Sequence, residues 1–347
     1  MARKILWALL ALAPLTILAR YVFDLGDVPL FVLSAAALVP LAWLIGEATE
    51  HAGDHTGPGV GGFLNASFGN APELIIALFA IADGLPNVVR ASLAGSVVSN
   101  LLLVLGLAIV MGPERALDRR SLVPQLGVVG AAVLLFLIPS VPGFSGNPER
   151  HSLAVETLPV AALLLVLYVV VTTSVLRRHR EIHAREGGEA GAGWTLPVAL
   201  AALAAATGAT AVISEILVHT LQAFADAAGL SQFFIAIVIV AIVGNAAEHG
   251  GAVVIARRGK LKLASEIAIS SSAQVAVLVT PAVALLSWLV KPTLPLAFRP
   301  VELATMAGAT IAVALVIYDA DARRREGVFL IATYVGFVVW FLLAGDR

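Results

Sequence analysis

No cysteine occurs in this chain, which removes disulfides, thiolate metal sites and cysteine nucleophiles together. Any metal it handles must therefore be held by oxygen or imidazole. Charge is scarce as well: 13% of the residues are Asp, Glu, Lys or Arg, and 22 basic against 23 acidic side chains leave a net charge of −1. That balance offers no basic surplus for nucleic acid and no acidic tail. The HExxH pattern of a helical zinc hydrolase is missing, as are the paired aspartates that intramembrane aspartyl chemistry would use, so the chain reads as a non-enzyme. What is abundant is apolar. Hydrophobic residues make up 59% of the 347, and the mean hydropathy is +0.95, which places the chain in the bilayer.

A hydrocarbon core of about 30 Å takes about 20 helical residues. Apolar stretches near that length, bounded by charge, Pro or Gly, predict an all-α membrane protein of eleven helices, at about 5–22, 29–48, 60–82, 88–111, 122–140, 152–176, 195–218, 231–256, 262–290, 296–317 and 327–344. The first follows Arg3 and Lys4 but lacks a small-residue cleavage site, so it is expected to be retained as a helix. Eleven helices with a cytoplasmic N-terminus put Arg3, Lys4, Arg115, Arg119, Arg120, Arg177, Arg178, Arg180, Arg185, Arg257, Arg258, Lys260, Lys262, Arg323, Arg324 and Arg325 on one face. Arg20, Arg90, Arg150, Lys291, Arg299 and Arg347 fall on the other. The bias agrees with the positive-inside rule. The polar connection 177–194 divides the chain into a leading helix (1–25), a first five-helix unit (26–176) and a second (195–347).

The two units share a motif. GNAPE at 69–73 recurs as GNAAE at 244–248, and the same offset of 175 residues carries Ser96 onto Ser271 and Ser99 onto Gln274. The copies lie on the third and eighth spans, a step of five, so the repeats are inverted, an architecture that recurs in secondary transporters with their sites near the midplane. A carboxylate there costs on the order of 3 kcal/mol or more. Glu73 and Glu248 have no basic residue within a helical turn to offset that cost. Two converging carboxylates make a site that is neutral with two protons or with one divalent cation, the simplest chemistry of antiport. Gly69, Asn70 and Pro72 are poor helix-interior residues and mark a break that frees backbone carbonyls. Together Glu73, Glu248, Asn70, Asn245, Gln274, Ser96, Ser99 and Ser271 form an all-oxygen ligand set suited to Ca2+.

Blander readings apply to each. Asn-x-x-Glu is also a capping box, although a helix start inside the membrane is itself the break a transporter uses. The serines also suit close helix packing. His249 follows Glu248 where the first copy has Leu74, which suggests proton handling or a plain hydrogen-bonded helix residue. Glu47 and Glu215, near the expected ends of the second and seventh helices, are candidate proton-relay carboxylates or solvated helix ends. Glu50, His51, Asp54 and His55 are expected in a solvated cytoplasmic turn. A scaffold role leaves the paired buried carboxylates unexplained, and a Na+ or K+/H+ antiporter remains the alternative within transport.

The stretches GNAPELIIALFAIADGLPNVVRASLAGSVVSNLLLVLG (69–106) and FFIAIVIVAIVGNAAEHGGAVVIARRGKLKLASEIAISSSAQVAVLVTP (233–281) resemble the two signature regions of the cation/proton exchanger (CAX) branch of the calcium:cation antiporter superfamily. GEATEHAGDHTGPGVGGFLNASFGNAPE (46–73) is similar to the approach to the first. The resemblance implies one leading helix plus two inverted five-helix repeats, and Ca2+ moved against protons with no bound cofactor. It also implies a multi-pass protein of the bacterial inner membrane, with Glu73 and Glu248 as the central carboxylates lined by Asn70, Asn245, Ser99 and Gln274, and His249 beside the second. A homo-oligomer is compatible with it. Pro72 stands where a small or hydroxyl residue is usual, Ser270 where glycine is usual, and the 177–193 connection is arginine-rich where the family has an acidic segment.

Overall fold

A computed structural model describes residues 2–113, 116–183 and 193–345. Arg115, Arg185 and most of the connection 177–194 lie outside the described residues or their side chains do. The described chain is helical, its one β contact an isolated bridge between Ala116 and Asp321. Among the described residues eight helices are long and apolar enough to cross a membrane, and a ninth candidate, Gln232–Gly244 with Glu248–Arg257, is bent by 57°. The shorter apolar helices Ala71–Ala82 and Pro300–Val316 occupy the two remaining expected spans, which begin at 60 and 296.

One expectation is corrected. The stretch between 48 and 60 is not a turn: the backbone runs as a helix from Asp27 to Gly69. Polar residues there follow helical spacing. His51 Nε2 sits 3.5 Å from Glu47 Oε1 at i,i+4 and His51 Nδ1 lies 3.9 Å from Asp54 at i,i+3, while Thr49 Oγ1 donates to the Ile45 carbonyl at 2.7 Å. Such pairs support a helix through a polar stretch, so polarity alone was no stop signal. Glu47 also pairs with Arg3, and the His51 ring packs on Trp194, 5.0 Å between centroids. His55 Nε2 reaches the Trp194 carbonyl at 2.7 Å.

The repeat seen in the motif extends to the helices around it, residue for residue. Ala71–Ala82 and Ala246–Arg257, Pro86–Ser99 and Leu261–Gln274, and the π-helical turns Asn100–Val104 and Val275–Val279 are each 175 positions apart. A π turn leaves an extra residue in the helix and frees backbone groups, and such turns gather at functional sites. Ser272 Oγ donates at 3.3 Å to the carbonyl of Val97, its own repeat counterpart. The two halves therefore touch at equivalent positions in this contact. Small residues let the helices close around it, as in membrane bundles generally: a Cβ at Gly95 would run into the Ile237 carbonyl oxygen and stand 2.7 Å from its carbon.

Loops expected on one face meet one another. Arg90, 1% exposed, pairs with Glu149 and donates to the Pro295 carbonyl at 3.2 Å and to Asn87 Oδ1 at 2.5 Å. At the other end Leu117 N donates to the Ala320 carbonyl at 3.0 Å, and Arg119 lies 5.3 Å over the Tyr318 ring.

Candidate functional site

Both motifs break their helices at the asparagine. Asn70 (φ −100°, ψ 15°) ends the Asp27–Gly69 helix and precedes Ala71–Ala82, and Asn245 (φ −92°, ψ 9°) separates Ala241–Gly244 from Ala246–Arg257. These dihedrals lie in the bridge region that active-site residues often occupy. The expected side-chain cap is not formed at either asparagine. Instead the amides turn into the protein: Asn70 Nδ2 donates to Gln274 Oε1 at 2.9 Å, and Asn245 Nδ2 donates to Ser96 Oγ at 2.8 Å and to the Ala241 carbonyl at 2.9 Å. Each bond from a motif asparagine to a serine or glutamine thus joins one half of the chain to the other.

The glutamates come together across the same seam. Glu73 is 7% exposed and packs against the second motif, where a Cβ at Gly244 would stand 3.5 Å from its Oε1. It lines, with Ser92, Ser96 and Gly244, a cavity of about 10 Å3, about the space of one water. Glu248 is partly buried, accepts a short hydrogen bond from Ser271, and lies within electrostatic reach of Glu73. Glu73 Oε2 makes no hydrogen bond among the described residues. No group of three or more His, Asp or Glu side chains is placed to hold a metal among the described residues. A cation held here would therefore meet two carboxylates and neutral amide, hydroxyl and carbonyl oxygens, a hard-ligand set.

Of the predicted residues, Glu248 and Ser271, Asn245 and Ser96, and Asn70 and Gln274 are bonded in pairs, and Glu73 lines the cavity beside Ser96. Ser99 is fully buried, but its hydroxyl donates back to the Ser96 carbonyl at 3.2 Å in its own helix. His249 Nε2 is 2.9 Å from Asn100 Oδ1. Glu47 and Glu215 stay apart from these residues: Glu47 in its ion pair with Arg3, and Glu215 on the exposed side of the Leu196–Ala228 helix. Sequence reasoning missed Asn100, which bonds to Asn245, Ser271 and His249. The available signal was a lone amide at the head of the apolar run LLLVLG, next to Ser99.

A family model described as sodium/calcium exchanger protein matches residues 27–177 and 198–343. The Ca(2+)/H(+) antiporter ChaA of Bacillus subtilis strain 168 is 37% identical over 327 residues, which cover 90% of this chain and 92% of that protein. Native YfkE, a solved structure, superposes with a TM-score of 0.83 at 34% identity, covering 98% of this chain and 99% of the other. The H+/Ca2+ exchanger CAX has the same fold, with a TM-score of 0.74 at 16% identity over 99% of this chain and 92% of that one. With both motif regions inside the matched segments, the chain belongs to the sodium/calcium exchanger protein family.

Proposed function

We propose that the protein is a secondary antiporter that moves Ca2+ across the membrane in exchange for protons by alternating access. The observation that carries this reading is that Glu73 and Glu248, each beside a helix break, lie within electrostatic reach of each other, Glu73 against Gly244 of the second motif and Glu248 bonded to Ser271, among hard oxygens contributed by both halves. A cation and protons compete for the same two carboxyl groups. The pair is neutral with two protons or with one Ca2+, and either loaded form can cross a low-dielectric barrier that the doubly ionised pair cannot. Asn70, Asn245, Gln274, Ser96, Ser99 and Ser271 line the cation path. His249, Glu47 and Glu215 are assigned to proton handling, His249 from beside the site and the other two from outside it. The register of the halves supports one leading helix and two inverted five-helix units, 26–176 and 195–347, joined through 177–194. Likeness to a Bacillus subtilis antiporter supports a bacterial plasma membrane, and the distribution of basic residues supports a cytoplasmic N-terminus.

Everted membrane vesicles with an acid interior test the proposal. Added Ca2+ should dissipate the proton gradient, with Na+ and K+ causing little change. The opposite ranking would replace Ca2+ with a monovalent cation, and no response to any of them would remove the antiport reading.

A further inference from the structure

Asn100 lies outside both GNAxE motifs, yet its side chain bonds to Asn245 of the second, to His249 directly after it and to Ser271. It is 1% exposed and opens the π-helical turn Asn100–Val104. Its Nδ2 donates to Asn245 Oδ1 at 3.2 Å and to Ser271 Oγ at 2.9 Å, and its Oδ1 faces His249 Nε2 at 2.9 Å. The directions of these bonds follow from donor and acceptor chemistry. The Ala241 carbonyl can only accept, so the NH2 of Asn245 points at it and its Oδ1 is left facing Asn100. Asn100 must then present its NH2 to that oxygen, which leaves its own Oδ1 for a protonated Nε2 of His249. Ser271 accepts from Asn100, so its single hydroxyl hydrogen is directed to Glu248 Oε2. A chain of fixed polarity runs from a backbone carbonyl to one carboxylate.

Among the described residues no such chain reaches the first carboxylate. The repeat counterpart of Asn100 is Val275, and that of His249 is Leu74, so both partners in the Asn100–His249 bond depart from the repeat. Ser96, the counterpart of Ser271, is engaged by Asn245, and Glu73 Oε2 makes no hydrogen bond among the described residues.

We propose that Asn100 is a positioning residue that holds Glu248 in place through Ser271, making the site one fixed carboxylate and one movable one. This rests on the exchange proposed above. Glu248 is the anchor on which a cation first lands, and Glu73 adjusts to complete the ligand set. Withdrawing Asn100 lets Glu248 turn, which weakens cation capture more than it slows the transport cycle.

Purified protein in liposomes, with proton movement driven by graded Ca2+, reads this directly for wild type, Asn100→Val, Ser271→Ala and the double variant. Asn100→Val should raise the half-saturating Ca2+ about tenfold, equivalent to about 1.4 kcal/mol, with a maximal rate lowered less than about threefold. Because Asn100 acts through Ser271, the double variant should lie within about twofold of the worse single one. Multiplying effects would overturn the proposal. So would an unchanged half-saturation, or a loss confined to the maximal rate, which a purely structural role would produce. Asn100→Ser is measured alongside, because serine is too short to span all three partners and must raise the half-saturation as well. If Asn100→Val is not recovered folded, that variant decides. Should wild type respond to another cation and not to Ca2+, the function reading fails, and the same variants are read against that cation.

Discussion

In the first half the sequence places Leu74, Gly95, Val97, Ser99 and Asn100 where the second half has His249, Ser270, Ser272, Gln274 and Val275. Around those positions the backbones agree helix for helix and π turn for π turn. Ahead of the motifs they differ: residues 54–65 lie in one continuous α-helix, whereas their counterparts hold a connection at 229–231 and the Ile235–Val240 π turn. Shared backbone supplies the near-equivalence of two access states that an inverted repeat is suited to. Unshared side chains decide what each half does within that frame. The second half hydrogen-bonds its glutamate, and the first leaves an oxygen of its own unbonded among the described residues.

The comparison is put under most strain by removing one carboxylate at a time. Glu73→Gln and Glu248→Gln each keep size and hydrogen-bonding capacity while removing the charge. Each should lower Ca2+-driven proton movement by more than about 100-fold, since an interaction with a buried charge is lost together with the exchangeable proton. Isotope uptake in matched vesicles checks this. If either variant retained more than a tenth of the activity, the halves would not share the task.

A second contrast uses the pair Gly95 and Ser270. A Cβ at Gly95 would meet the Ile237 backbone and lie 2.9 Å from Ala241 Cβ, and backbone cannot move aside as a side chain does. Gly95→Ala should therefore cost about 3 kcal/mol or more, at or beyond the upper end for overpacking. Among the described residues Ser270 Oγ bonds only to the Ile267 carbonyl, at 3.2 Å in its own helix, so Ser270→Ala should stay within about 0.5 kcal/mol. Thermal unfolding of the two variants in detergent, compared with wild type, measures the difference. Similar shifts would mean that the close approach at Gly95 does not distinguish the halves.

The order in which these features became visible has physical causes. Long apolar runs and the basic bias are properties of composition, so the number of helical stretches was legible without any contact. The motif pair was legible because it repeats. Asn100 was not, since a search for repeated polar residues passes over a residue whose counterpart is Val275. Arg90 was expected on the less basic face, but its burial depends on Glu149 and Pro295, which lie 59 and 205 residues away in sequence. The misread stretch from 48 to 60 shows the opposite error. Charged and histidine side chains read as the mark of a turn, whereas their i,i+3 and i,i+4 spacing stitches a helix together.

The smallest expected effect belongs to the pair that first revealed the repeat beyond its motif. Ser99 and Gln274 occupy equivalent positions, and a symmetric site would use them equally. Gln274 instead accepts from Asn70 across the seam at 2.9 Å, while Ser99 donates along its own helix to the Ser96 carbonyl at 3.2 Å. Gln274→Ala leaves a buried donor without that partner and removes a hydrogen bond worth about 1 kcal/mol, so the half-saturating Ca2+ should rise about fivefold. Ser99→Ala removes a back-bond that helices do not need and should change it by less than about twofold. Titration of exchange against Ca2+ for both variants separates the cases. Equal shifts would mean that the hydroxyl and the amide face the cation alike, and the inequality of the halves would then be confined to Asn100 and His249.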